Sequence, residues 1–234
     1  MDHPFYTIGH STRTIAEFCD LLRVAGARYV ADVRTVPRSR TNPQFNLDVL
    51  PATLEREGIA YVHLASLGGR RSKSKHIEAG TNAGWERQPF HNYADYAETD
   101  AFREGLGELL QMASRETCAI MCAEAVWWRC HRRIVADHVL AHGVPVVHVF
   151  SEEKNEPASL TPFAVIGARS RVSYPAPTQR PKVVFPASPV AGGASMGPLS
   201  IQASLVTRGR QTASGPPPSP RRGAHPRDPF RGRE

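Results

Sequence analysis

The sequence predicts an α/β fold in which a mainly parallel sheet of about five strands is covered by helices on both faces, and three observations predict it. Five apolar runs, "FYTIGH", "RYVADVR", "IAYVHL", "TCAIMC" and "VPVVHVF", are nearly continuous rather than alternating, as strands buried on both faces require. Between them lie segments whose apolar residues recur at spacings of three and four, the signature of helices with one buried face. Strand and helix alternate from Phe5 to Phe150, the order that builds a doubly wound sheet.

The elements follow in turn. "FYTIGH" stops at Gly-His-Ser-Thr, a loop suited to starting a helix. "TIAEFCDLLRVAGA" puts Ile15, Phe18, Leu21 and Leu22 on one face and ends at Gly26. "RYVADVR" closes at Asp32 to Arg34. "NLDVLPATLEREG" reads as a helix after Asn46 with Pro51 as an awkward interior residue or a break. The polar stretch Ala65–Asn92 is too long and Gly-rich for a simple connection, and loops of that length carry function or disorder. "TDAFREGLGELLQMASRE" is a helix capped by Thr99 or Asp100, with Phe102, Leu106, Leu109 and Leu110 on one side. "RCHRRIVADHVLAHG" is the last helix, beginning near Arg129.

Composition divides the chain. Residues 1–150 hold 17 Lys+Arg and 17 Asp+Glu, whereas residues 151–234 hold 12 and 5, so the whole net charge of +7 lies in the last third. Of 20 prolines, 14 lie after residue 150. A basic, Pro-rich segment cannot bury enough surface to fold alone, which predicts one domain over residues 1–176 and a disordered tail over 177–234. No apolar run reaches membrane-spanning length and the first residues lack a signal-peptide pattern, so a cytoplasmic protein without a membrane partner is expected. Four cysteines, Cys19, Cys118, Cys122 and Cys130, sit in apolar segments, against a disulfide framework.

In an open α/β sheet, ligands bind beyond the carboxyl ends of the strands, close to helix N-termini that attract anions. That edge collects His10 and Ser11 after the first strand, Asp32 and Arg34 after the second, Gly68–Arg71 after the third, and Cys122 and Glu124 after the fourth. The opposite edge collects no comparable set.

The motifs "TIGHST", "DVRTVPRSRTNPQFN", "GIAYVHLASLGGRR", "YADYAETDAFREGL" and "CAEAVWWRCHRRIVAD" together resemble the bacterial family known as domain of unknown function 488, from about Tyr6 to Phe150, and "LTPFAVIGARSRVSYP" is similar to that family's last segment. The resemblance implies a Rossmann-like domain and brings no settled reaction. It supplies as candidate positions His10, Asp32, Arg34, Pro37, Ser39, Gln44, Phe45, Asn46, Gly68, Gly69, Arg71, Cys122, Glu124, Cys130, His131 and Arg132. Where relatives carry Asp-Pro after the glutamate this chain has "AVWW", which predicts an apolar wall including Trp128.

Three chemistries suit these residues. Cys122, Cys130 and His131, completed by His10 or His63, have the donor types of a zinc site, but adjacent residues diverge by about 100° on a helix, so neither metal nor other cofactor is expected. Cys122, at a strand end before a helix, suits a reactive thiol, although its C-x6-R spacing to Arg129 departs from the C-x5-R of cysteine phosphatases. Arginines in the edge loops suit phosphate oxygens.

The leading expectation is an enzyme acting on a phosphate-bearing substrate, a nucleotide or nucleic acid. Arg34, Arg71 and Arg132 would bind the anion, with Ser39, Gln44, Asn46, Gly69, Trp128 and His131 as further substrate contacts. Glu124 and Asp32 would serve acid/base chemistry or hold the arginines, and His10 would transfer a proton. A noncatalytic module binding nucleic acid or a partner, with the basic tail adding nonspecific contacts, and a thiol enzyme using Cys122 stay open as alternatives, and so does the oligomeric state.

Overall fold

Thr14 opens the first helix with a reciprocal capping box, its hydroxyl accepting from Glu17 N while Glu17 Oε2 accepts from Thr14 N. Gly26 closes the same turn at φ +63°, the left-handed conformation that favours glycine. The computed structural model describes residues 4–78 and 80–177. Its elements run β1 (Phe5–Gly9), α1 (Ile15–Val24), β2 (Tyr29–Asp32), α2 (Leu50–Arg56), β3 (Ala60–His63), α3 (Gln88–Ala97), α4 (Asp100–Ala113), β4 (Cys118–Cys122), α5 (Arg132–Ala141), β5 (Val146–Val149), β6 (Asn155–Pro157), β7 (Val165–Ile166) and β8 (Val172–Ser173).

The sheet order is β3-β2-β4-β1-β5-β6, with β1 to β5 parallel and β6 added antiparallel at one edge; β7 and β8 form a separate hairpin. The α/β, mainly parallel architecture expected from the sequence is therefore present. α1 and α2 pack on one face, where Phe18, Leu22, Leu50 and Leu54 meet Ile8, Val30 and Met121. α3, α4 and α5 cover the other, where Phe102, Leu109, Ile134 and Val139 meet Phe5, Ala31 and Ile120. Successive residues of one strand thus serve opposite cores, which explains why β4 is buried at all five positions.

Three boundaries differ from expectation for local reasons. Pro51 does not break α2, because the helix begins at Leu50 and proline in the first turn lacks only an N–H that would have no intrahelical partner. The end of the long polar stretch forms α3, which buries Phe90, Tyr93 and Ala97. α5 begins at Arg132 rather than near Arg129, and a single 3-10 turn, Trp127–Arg129, precedes it.

The segment after β5 folds back onto α5. Asp137 accepts from Thr161 N at 2.8 Å and from the Tyr174 hydroxyl at 2.9 Å. Pro177 is the last described residue, so the tail expected over 177–234 lies otherwise outside the described residues. Among the described residues no helix is long and apolar enough to cross a membrane.

Candidate functional site

β1 and β4 are parallel neighbours in register, Gly9 opposite Cys122, and their carboxyl ends open onto a crevice of about 890 Å³. The crevice is walled by the loops after β1, β2, β3 and β4, together with the start of α3. The loops meet closely: a Cβ on Gly9 would lie 1.9 Å from Glu124 O, and one on Gly69 would lie 2.3 Å from His131 Nδ1. Only glycine lets these backbones approach so near.

The second strand ends in a buried ion pair. Asp32 is fully buried and accepts from Arg34 Nε at 2.9 Å, from Arg34 Nη2 at 2.5 Å, from Arg34 N at 3.0 Å and from the Tyr61 hydroxyl at 2.6 Å. Burial, with the Asp32 carboxylate adding to it, pushes the Tyr61 hydroxyl well up. Arg34 also donates to Phe45 O at 2.7 Å. Of the two roles expected for Asp32, it holds an arginine; it has no idle lone pair for acid/base work.

His10 stacks on Phe45 at 4.3 Å between ring centroids, with Nδ1 2.9 Å from Ser11 O and Nε2 3.3 Å from Arg34 Nη1. Burial, opposed by the Ser11 carbonyl and reinforced by Arg34, pushes its pKa down to about 4. A neutral ring donating from Nδ1 and accepting at Nε2 satisfies both contacts. His10 lines the crevice, yet as a packed and hydrogen-bonded group.

Arg71 and Arg132 are also placed for structure rather than for an anion. Arg71 donates to the carbonyls of Ala65, Ser66 and Gly68 and lies 3.6 Å from the Tyr96 ring centroid, closing the 3-10 turn after β3. Arg132 is 1 % exposed, donates to Glu124 O at 2.6 Å, and lies outside the crevice lining. Each of the three arginines expected to bind the substrate thus has protein acceptors, Arg34 in the Asp32 carboxylate and Phe45 O, Arg71 in three carbonyls and Arg132 in Glu124 O, while the buried Nε of Arg132 has no partner.

Of the other candidates, Ser39 lines the crevice and Asn46 stands behind it, its Oδ1 accepting from Ser39 N at 2.6 Å. Gln44 turns away to donate to Arg13 O. Trp128 forms no wall of the crevice: it packs edge-on to Trp127 and toward Phe150, while Trp127 stacks on His148 at 4.4 Å. Gly69 and His131 line it as expected, as do Cys122 and Glu124.

Cys122, Cys130 and His131 converge on the crevice floor, their ligand atoms all within 4.8 Å of one another. The divergence expected of neighbours on a helix does not arise, since Cys130 is extended (φ −124°, ψ 148°) and His131 is the N-cap of α5. His131 Nε2 lies 2.9 Å from Val33 O, which fixes the proton there and turns the Nδ1 lone pair to the sulfurs, 3.6 Å from Cys130 and 4.0 Å from Cys122. Hydrogen bonding to Cys130, together with burial, pushes the Cys122 thiol well up. Burial opposes the Cys130 thiolate, but Cys122 and the nearby Arg132 outweigh it and hold that thiol below its usual range. Cys118, fully buried with its thiol pushed up to about 12, is explained by packing.

The rim carries Arg38, Arg70, Arg87 and Arg129, all exposed. Among the described residues, the guanidinium groups of Arg70, Arg87 and Arg129 have no hydrogen-bond or ion-pair partner, and Arg38 has only Asp48 at 3.8 Å. Glu124, exposed, is the one acidic residue in the lining. Arg87, Thr12, Thr35, Thr41 and Asn42 complete the polar lining and were not singled out by sequence. Arg87 was legible only once α3 is recognised, since it is that helix's N-cap.

The family model described as "Domain of unknown function DUF488" matches residues 14–139, more than half of the chain. No curated protein and no solved structure matches it. From Thr14 to Val139 the match takes in every strand that forms the crevice except β1, and the chain belongs to the DUF488 family.

Proposed function

We propose that the crevice is the active site of an enzyme acting on a phosphate-bearing substrate, a nucleotide or a nucleic-acid segment. One observation carries the reading: four exposed arginines surround a cavity whose lining holds a single carboxylate. Guanidinium groups that lack protein acceptors are available for phosphate oxygens, and their forked donors suit that geometry. At about 890 Å³ the cavity falls in the range that takes a nucleotide-sized ligand. The anion therefore binds at the rim and not at Arg34, Arg71 or Arg132. Glu124, which also lines the crevice, is the group this reading assigns to proton transfer.

The test pairs binding with turnover. Nucleoside mono-, di- and triphosphates and a short single-stranded oligonucleotide are titrated against the full chain and against an Arg70→Ala/Arg129→Ala double variant. Loss of at least about tenfold in affinity, about 1.4 kcal/mol, with an unchanged melting temperature supports the reading. Equal affinity in both proteins overturns it. Binding that survives in Glu124→Gln while turnover disappears marks an enzyme. Binding by the wild type with no turnover of any bound phosphate compound leaves a noncatalytic module.

A further inference from the structure

We propose that Cys122, Cys130 and His131 form a binding site for a borderline-soft divalent metal ion, with zinc the first candidate, whose fourth coordination position opens to the crevice. The sequence spacing argued against such a site because it put Cys130 and His131 on one helix. Their placement on an extended residue and an N-cap removes that objection.

The sulfur–nitrogen distances are close to those of a tetrahedron. With Zn–S near 2.3 Å and Zn–N near 2.0–2.1 Å, the S···N edge of a tetrahedral site is about 3.6 Å and the S···S edge about 3.8 Å. Nδ1 of His131 stands 3.6 Å from the Cys130 sulfur and 4.0 Å from the Cys122 sulfur, and no pair of the three donors exceeds 4.8 Å. The two S···N edges need shifts of at most about 0.4 Å, and the sulfurs, no more than 4.8 Å apart, must close by up to about 1 Å to bring all three donors onto one ion.

The surroundings suit ligands held in advance. Val33 O takes the proton of His131 Nε2, the outer hydrogen bond that orients metal-binding imidazoles and fixes their tautomer. Gly69 lies against the same ring and leaves it no room to turn. Cys122 is held by the sheet, with its carbonyl accepting from His10 N at 2.9 Å, and Cys130 N donates to Trp127 O at 3.0 Å. Both cysteines are buried, at 6 % and 3 % exposure, which slows competing oxidation.

The donor count sets the class. Closed structural zinc sites take four protein ligands, whereas reactive ones take three and leave a position for water or substrate. Among the described residues no fourth histidine, cysteine or carboxylate joins the cluster. All three donors line the crevice, so the open position faces the cavity. The site does not rest on the phosphate reading and would stand without it.

Untagged full-length protein, purified under reducing conditions without chelator, is analysed for bound metal by mass spectrometry. It is then stripped and titrated with zinc and with cobalt(II). One metal ion per chain is expected, together with the thiolate-to-cobalt charge-transfer absorption and the visible bands of a tetrahedral cobalt site. Cys122→Ser, Cys130→Ser and His131→Gln each lower metal affinity by at least about tenfold, whereas Cys19→Ser, remote in the other core, binds as the wild type does. Reduced wild-type protein that takes up neither ion overturns the site, and so does a Cys130→Ser variant with unchanged affinity. The cobalt spectrum of the wild type decides the matter even if a variant fails to fold. Phosphate binding is read in a separate titration, so failure of one proposal leaves the other measurable.

Discussion

A Cβ added to Gly69 would stand 2.3 Å from Nδ1 of His131, 2.7 Å from Cγ and 2.8 Å from Cε1. The loop after β3 is therefore pressed against the imidazole that closes the crevice floor, and the ring cannot keep its place if position 69 gains a methyl group. Gly69→Ala is expected to destabilise the fold by about 1–3 kcal/mol, the range for overpacking a close contact. It also breaks the His131–Val33 hydrogen bond, visible as a shifted imidazole resonance. Gly107→Ala serves as the control: that glycine is exposed in α4 with nothing within 4 Å of its missing Cβ, and the change should stabilise by about 0.5–1 kcal/mol. Two alanines of equal effect in urea denaturation would refute the contact.

Asp32 and Arg34 separate structural from ligand-binding arginines. Asp32→Asn leaves the Arg34 guanidinium buried at 5 % exposure without its counter-charge, and loss of one partner of a buried pair costs about 3–5 kcal/mol. Arg129→Ala, at an exposed rim position, should change stability by less than about 0.5 kcal/mol. Denaturant midpoints for the two variants check this. An Asp32→Asn protein as stable as the wild type would show that the pair does not hold the β2 loop.

The fold was legible because strands buried on both faces leave a plain mark: "TCAIMC" is apolar throughout, and β4 sits between β2 and β1 with every residue covered. The crevice edge followed from the same alternation. What single residues do there was less legible. Arg34, Arg71 and Arg132 sit near the right edge, yet each is engaged by protein acceptors: the Asp32 carboxylate and Phe45 carbonyl for Arg34, the Ala65, Ser66 and Gly68 carbonyls for Arg71, and the Glu124 carbonyl for Arg132. Spacing cannot show which arginine a carbonyl will claim. α3 escaped notice because its buried face mixes Phe90 and Tyr93 with alanines and a buried Asp95, so that the segment as a whole is too polar to stand out from the loop before it. Asp95 accepts from Asn82 Nδ2 at 3.0 Å, a partner no local pattern announces.

Asp137 ties the last described segment to α5. Its two oxygens accept from Thr161 N and the Tyr174 hydroxyl, both buried, and Tyr174 packs on Trp85 at 5.3 Å between centroids. Asp137→Ala removes both acceptors and should cost about 2–3 kcal/mol, since it strands a buried amide and a buried hydroxyl. Limited proteolysis is the direct check: new cleavage between Thr161 and Tyr174, with β1 to β6 left intact, is expected. An unchanged digestion pattern would mean that Tyr174 and Phe163 hold the segment by packing alone.

Stability should fall in mild acid because three buried histidines resist protonation, His10 in the crevice with its pKa at about 4 and two outside it. Burial, with a small contribution from His142, pushes the pKa of His138 down to about 3, and burial with Arg132 pushes that of His148 down to about 4. His138 Nε2 is buried without a hydrogen-bond partner, and His148 is stacked on Trp127 with Nδ1 2.7 Å from Thr7 Oγ1. The sign follows from proton uptake. All three folded-state values lie below the unfolded value of about 6.5, so between pH 6.5 and about 4 the unfolded chain binds protons that the folded chain refuses, and stability rises with pH across that window. Urea midpoints measured from pH 7 to pH 4.5 should therefore drop, most steeply below pH 6. His138→Leu replaces an unpartnered imidazole with an apolar side chain of comparable size; it should keep its stability at pH 7 and flatten the acid slope by about one proton. A variant whose pH profile runs parallel to the wild type would remove His138 from the account and leave the acid sensitivity to His10 and His148.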